Sequence, residues 1–221
     1  MKAFFEAIAG RYERAYALSG RESRARLQRM IDALPPAPAR VLDLGVGTGR
    51  ELSALLDAGY APTGVDVSPA MLERCRRRAR AVPLVEADFW SAPLPFAGAS
   101  FDAAIALHGT LAHPPDARAP AALAAELARV VRPGGALFVE VPSPAWLERM
   151  AAWPGDAERR VRRTGERTCR YEDLVVGASI EARVLDADEW RRALGASWDA
   201  RVEPLGELEL AILARRSADA R

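Results

Sequence analysis

Arg40-Val41-Leu42-Asp43-Leu44-Gly45-Val46-Gly47-Thr48-Gly49-Arg50 reads as a short apolar strand running straight into a glycine-rich turn. A turn of that kind lets backbone approach a ligand closely, and the helix that follows, from Arg50 to Ala58, offers free N–H groups at its start. The period of the pattern supports this order: upstream, Leu27, Met30, Ile31 and Leu34 recur at helical spacing until Pro35-Pro36 stops them, and then the run becomes continuous and strand-like.

The same unit repeats downstream. Pro62–Val67 reads as a second strand, and Ser68-Pro69 opens a helix with proline at its first position. Val82–Val85 is a third strand, Phe101–Leu107 a fourth, Ala121–Val131 a helix, and Pro133-Gly134-Gly135 a turn into a fifth strand, Ala136–Val141. Strands alternating with helices in this rhythm predict an α/β fold with a mostly parallel sheet covered on both faces. Upstream, residues 3–34 are helical in pattern with a break near Ser19-Gly20. Downstream, residues 143–170 are rich in arginine and interrupted by Pro144, Pro154 and Gly155. Arg167–Val176 and Ser179–Leu185 are candidate strands of an inserted cover. Asp188–Leu194 is a helix, and Arg201–Leu205 with Leu208–Arg215 forms a closing antiparallel hairpin.

The chain has 221 residues, half of them hydrophobic, which suits one domain with a substantial core. Its parts read as a helical lid (1–39), a ligand-binding core (40–142), a substrate-side insertion (143–186) and a closing helix and hairpin (187–216). A net charge of +1 supplies no pull toward nucleic acid or acidic membrane. Cys75 and Cys169 stand far apart, in neither metal nor redox spacing, so no metal is expected and a reducing, cytoplasmic setting is the default. No apolar run reaches the roughly 18 residues of a membrane span.

The acids at the strand ends narrow the ligand. A dinucleotide fingerprint places a third glycine one residue beyond Gly49, where this chain has Arg50. Asp43 before the turn, with Gly45-x-Gly47-x-Gly49, therefore suits a ligand without a pyrophosphate, such as the amino-acid part of S-adenosylmethionine. Asp66 ends the second strand, where a carboxylate can accept from both ribose hydroxyls. Asp88 ends the third, placed to accept from an adenine amino group, and Phe89 beside it can stack on the ring. Each acid alone reads equally well as a helix cap or solvated turn; three at successive strand ends beside one glycine loop read as a site.

With those residues in view, the chain resembles the class I S-adenosylmethionine-dependent methyltransferases. The resemblance rests on Val41–Gly49, Gly64–Leu72 and Leu127–Gly135, three separated motifs in the family's order, and covers roughly residues 40–141. It implies a Rossmann-like, doubly wound seven-stranded sheet whose last strand is antiparallel and inserted beside the sixth. It also implies S-adenosylmethionine as cofactor, with Val46 and Val67 among the residues around it.

A narrower resemblance is to the glycine N-methyltransferase-like small-molecule branch, through Glu86-Ala87-Asp88-Phe89 and Leu107-His108-Gly109-Thr110-Leu111-Ala112-His113. By position it implies Leu107 and His113 on the cofactor wall and Arg21 as a clamp for the methionine carboxylate, a task that suits a planar guanidinium. Where that branch has an asparagine toward its amino-acid substrate this chain has Gly109, and its substrate-carboxylate arginine falls near Pro142-Ser143. Glycine is therefore a poor acceptor.

On the acceptor side, His108 follows the fourth strand and is a candidate general base, with a packing role as the competing reading. Tyr12, in Ile8–Glu13, resembles a lid residue that could reach the sulfonium or acceptor, or it belongs to an ordinary amphipathic helix. The arginines between 159 and 170 read as a solvated face or as a welcome for an anion. Methyl transfer to the nitrogen or oxygen of a small molecule, by a monomer or homodimer with neither nucleic-acid nor membrane partner, is the leading expectation. A nicotinamide-dependent oxidoreductase, a non-catalytic cofactor-binding subunit and an RNA methyltransferase are its rivals.

Overall fold

The computed structural model describes residues 1–17, 20–91 and 93–218, excepting the side chains of 20–23. Three helices lead in: α1 (Lys2–Ile8), α2 (Tyr12–Ala15) and α3 (Gly20–Ala33). Then strands and helices alternate: β1 (Arg40–Leu44), α4 (Leu52–Asp57), β2 (Ala61–Asp66), α5 (Pro69–Arg78), β3 (Leu84–Glu86), β4 (Phe101–Ala106), α6 (Ala119–Val130) and β5 (Val131–Pro142). After α7 (Pro144–Ala152) come β6 (Arg159–Arg163), β7 (Thr168–Asp173) and β8 (Ala178–Arg183). The chain then closes through α8 (Ala187–Leu194), β9 (Trp198–Leu205) and β10 (Glu209–Arg216).

β1 is an interior strand, third in a seven-stranded sheet ordered β3-β2-β1-β4-β5-β10-β9. β1 through β5 pair in parallel, and β10 lies antiparallel between β5 and β9, as the resemblance implies. Alternate side chains of one strand feed opposite cores. Leu42 packs among Leu127, Leu137, Trp190 and Trp198 on the face covered by α6 and α8. Val41 packs with Met30, Leu52, Leu55, Leu72 and Phe138 on the face covered by α3, α4 and α5. Covered on both faces, β1 buries Val41, Leu42 and Leu44 in succession, which is why it shows no apolar–polar alternation in sequence.

Helix starts follow local chemistry. The Ser68 hydroxyl accepts from the Met71 N–H at 3.2 Å with Pro69 behind it, and Asp186 and Glu189 form a reciprocal capping box at α8. Ser143 likewise accepts from the Trp146 N–H, so Pro144 begins α7 where the sequence suggested only a helix breaker. A helix bounded by its own cap needs no long periodic run.

Two further expectations are corrected and a third is extended. The strand expected from Ala136 begins at Val131 and runs through Pro133-Gly134-Gly135, with its register against β4 shifting there. The insertion carries a strand more than expected, β6, in an antiparallel sheet β6-β7-β8; Val161 and Cys169 are buried beneath it while Arg160, Arg162 and Arg170 face out. The leading helical stretch has a further break at Ala9-Gly10-Arg11; near the expected break at Ser19-Gly20, α2 ends at Ala15 and α3 begins at Gly20, Ser19 itself lying outside the described residues. Among the described residues, no helix is long and apolar enough to cross a membrane.

Candidate functional site

Gly45 and Gly47 both take left-handed backbone, at φ +66 and +53. A Cβ on Gly45 would lie 2.4 Å from the Thr110 methyl, so that position has no room for one. A Cβ on Gly47 would meet only the Gly45 carbonyl at 3.8 Å, and would instead stand in the open cradle the loop creates. The turn is braced by Asp66 at the end of β2, which accepts from the Gly47 N–H and, through its other oxygen, from the Ser68 N–H, each at 2.9 Å. Burial outweighs these bonds and holds the Asp66 carboxyl above its usual range. Asp43 lies deeper. It is fully buried, one of its oxygens has no partner among the described residues, and burial followed by the nearby charges of Glu51 and Asp66 pushes its carboxyl well up.

The cradle opens into a cavity of about 430 Å³, within the roughly 300–1,000 Å³ typical of small-molecule sites. Gly45, Gly47, Asp66, Val67 and Phe89 form its floor. α1 contributes Phe4, and α2 with its C-terminal end contributes Tyr12 and Tyr16; the loop after β4 contributes His108 and His113; α7 and the β6-β7-β8 sheet contribute Trp146, Arg159 and Tyr171. Three of the chain's four tyrosines stand on this one wall. A second cavity of about 480 Å³ adjoins it and shares Ala17, Arg26, Arg50 and His108.

Charged contacts over long sequence separations hold α1 and α2 against the rest of the chain. Glu13 accepts from the Thr48 hydroxyl, from Arg50 at 3.2 Å and from Arg78 at 3.2 Å. Glu6 accepts from the Ser68 hydroxyl at 2.6 Å and the Ala70 N–H at 3.1 Å, so it caps α5 alongside Ser68. Arg11 grips both oxygens of the buried Asp173, at 2.5 and 2.6 Å, and so ties the lid to the cover sheet.

His108 also has left-handed backbone, at φ +53, and its Nε2 lies 2.6 Å from Glu51 Oε1. His113 bonds the Glu181 carbonyl through Nδ1 at 2.7 Å. Burial lowers its imidazole to about 4, so it stays neutral, a wall group and not a base at physiological pH. Burial pushes the Tyr12 phenol up to about 12, despite the Arg50 guanidinium 4.9 Å from its ring centroid.

The structure thus brings Tyr12, Gly45, Gly47, Asp66, Val67, Phe89, His108 and His113 onto one wall. Others fall elsewhere. Leu107 lines the adjoining cavity, Val46 is buried against the β1–β2 core, and Asp43 lies beneath the loop. Asp88 does not reach the wall: it is exposed, and its carboxylate accepts from the Trp90 N–H and the Ser91 hydroxyl, closing its own turn. The side chain of Arg21 lies outside the described residues. Sequence reasoning missed Glu13, Glu51 and Arg26, and noticed Arg50 only as a departure from a fingerprint. Their partners lie tens of residues away, so no local spacing announces them.

Comparison with known proteins agrees with this architecture. Residues 41–135 match the family model described as a methyltransferase domain. A demethylmenaquinone methyltransferase of Beutenbergia cavernae is 37% identical over 145 residues, covering 64% of this chain and 58% of that protein. A malonyl-[acyl-carrier protein] O-methyltransferase of Halorhodospira halophila is 34% identical over 194 residues, covering 84% of this chain and 63% of that protein. The chain thus spans less than two thirds of the length of either relative. The S-adenosylmethionine-bound amino pentose methyltransferase of Micromonospora echinaspora shares the fold, with a TM-score of 0.69 at 24% identity over 93% of this chain and 96% of that one. By its matched domain and its strand order, the chain carries a methyltransferase domain over residues 41–135 and shares the fold of an S-adenosylmethionine-dependent methyltransferase.

Proposed function

We propose that the chain transfers the methyl group of S-adenosylmethionine to a nitrogen or oxygen of a small molecule. One observation carries this reading: the glycine loop and the end of β2 share a single continuous cavity with the lid and the cover sheet, so cofactor and acceptor can meet away from water. The residues fit the cofactor. Gly47 leaves its cradle open, and each Asp66 oxygen, already holding one backbone N–H, has acceptor capacity left for a ribose hydroxyl. Phe89, buried on the floor, offers a face to adenine.

When bound, the sulfonium supplies an activated methyl group and a neutral thioether as leaving group. The chain's task is then alignment and exclusion of water, which can supply up to roughly 7–11 kcal/mol of a barrier. The lid contacts of Glu6, Glu13 and Arg11 close the site. Tyr12 lines it near the loop, and His108 stands where an acceptor proton can be taken. Of the relatives named above, one acts, by its name, on demethylmenaquinone, which supports a small acceptor.

Calorimetry with S-adenosylhomocysteine and with NAD tests the reading. The first should bind and the second should not, because Arg50 stands where a pyrophosphate turn needs glycine. Binding of NAD alone overturns it in favour of an oxidoreductase.

A further inference from the structure

The charged groups of the cavity wall that a substrate ion would seek already have partners. Arg26 pairs with Glu140 and Glu209, Arg50 with Glu13, and Arg159 with Asp156. Of the wall carboxylates, Asp66 holds two backbone N–H groups and Glu209 holds Arg26. An anionic or cationic acceptor would have to break one of these pairs to gain a partner, and burying an unpaired charge is costly. A cation would also share the cavity with the positive sulfonium.

What the wall does offer is aromatic surface from two directions. Phe4 and Tyr16 of the lid flank Tyr171 of the cover sheet, with ring centroids 5.9 and 6.1 Å from it. Trp146 of α7 and the apolar side chains of Ile180 and Ala182 complete that end. Edge-to-face and tilted arrangements of this kind accept another flat ring.

At the loop after β4, His108 bonds Glu51 at 2.6 Å through Nε2, and its Nδ1 has no hydrogen-bond partner among the described residues. A carboxylate acceptor requires the proton on Nε2 in the neutral ring, which leaves the Nδ1 lone pair as the basic site. The lid tyrosines cannot take this part, because burial raises the phenols of both Tyr12 and Tyr16. A neutral amine would need no base before attack; a hydroxyl gains from one.

We propose that the acceptor is an uncharged aromatic compound bearing a hydroxyl group, held against the wall that Tyr171 and the lid aromatics form together, with Glu51 positioning His108 to take the hydroxyl proton. This deepens the methyltransferase reading and rests on it. The hydroxyl oxygen forms the new bond to carbon, the sulfur–methyl bond breaks with its electron pair staying on sulfur, and the proton passes to His108 Nδ1. The products are a methyl ether, a neutral thioether and an imidazolium.

Three probes sharing one ring system test the class: 2-naphthol, 2-naphthoate and 2-naphthylmethylammonium, titrated calorimetrically into the protein saturated with S-adenosylhomocysteine. The naphthol should bind at least about tenfold more tightly than either ion, a difference of about 1.4 kcal/mol. Equal or tighter binding of an ion, or binding of none, overturns the proposal. Failure of S-adenosylhomocysteine itself to bind overturns instead the reading beneath it. For Glu51, the chain's two histidines make nitrogen NMR readable. Glu51→Ala should abolish the Nε2–H tautomer of His108 and slow naphthyl methyl ether formation while keeping naphthol affinity; an unchanged tautomer and rate overturn the positioning role.

Discussion

The backbone N–H of Gly47 donates to Asp66 Oδ2 at 2.9 Å, joining the turn after β1 to the end of β2 across nineteen residues of chain. One carboxylate therefore shapes the loop and faces the cavity. Asp66→Ala should weaken S-adenosylhomocysteine binding by about 1.5–3 kcal/mol, the range for a hydrogen bond to a charged group. Calorimetry on a variant whose circular dichroism is unchanged checks this, and full affinity removes Asp66 from the site.

Asp43 gives a test in the opposite direction. Its carboxyl is raised by burial, so the ionised form is penalised in the folded state. The penalty is absent below the ordinary carboxylate range near 3.9 and grows as pH rises through the raised value. Asp43→Asn keeps the shape and removes the charge. At pH 8 it should stabilise the chain by about 1–3 kcal/mol, the cost of an unsatisfied buried group, and the advantage should shrink on acidification. Chemical denaturation at several pH values reads this; a variant less stable at pH 8 shows the charge to be compensated.

His113 carries the complementary pH dependence. Its folded value of about 4 lies below the unfolded imidazole, near 6.5. Its contribution to stability is complete above that unfolded value and declines as pH falls through the window toward 4. His113→Gln should lose less stability than the parent across that window. Parallel losses in the two proteins place the imidazole in solvent instead.

The lid should tighten on ligand binding, because Glu6, Glu13 and Arg11 clamp residues 2–16 onto the glycine loop, α5 and the cover sheet. Hydrogen exchange in α1 and α2 should slow when S-adenosylhomocysteine is added, and Glu13→Ala should speed it in the free protein. Protection confined to Gly45–Gly49 and Asp66 shows that the lid is not part of binding.

His108 holds left-handed backbone, which costs a residue with a Cβ about 1–3 kcal/mol. His108→Gly should therefore keep or raise the melting temperature while lowering methyl transfer to 2-naphthol by roughly 10²–10⁴-fold, the usual worth of a positioned base. A lower melting temperature with turnover kept assigns His108 to packing.

Much of this was legible along the chain. Val41 to Gly49 specify a strand buried on both faces and a turn that only glycine fits, because burial and positive φ restrict residue choice locally. The helix start at Ser68-Pro69 is legible for the same reason, since capping is settled within four residues. Asp66, Phe89, His108 and His113 line one cavity because strand ends in a parallel sheet face one side. Asp88 does not line it: at the short edge strand β3 its carboxylate found donors two and three residues on, and a nearby donor outcompetes a distant one. The third cover strand and α7 were hidden because proline and arginine suggest loops until a cap and a sheet partner are known. Only the tertiary structure joined His108 to Glu51, Glu13 to Arg50 and Arg11 to Asp173. Each pair spans tens of residues, and a charge carries no mark in sequence of the partner that folding brings beside it.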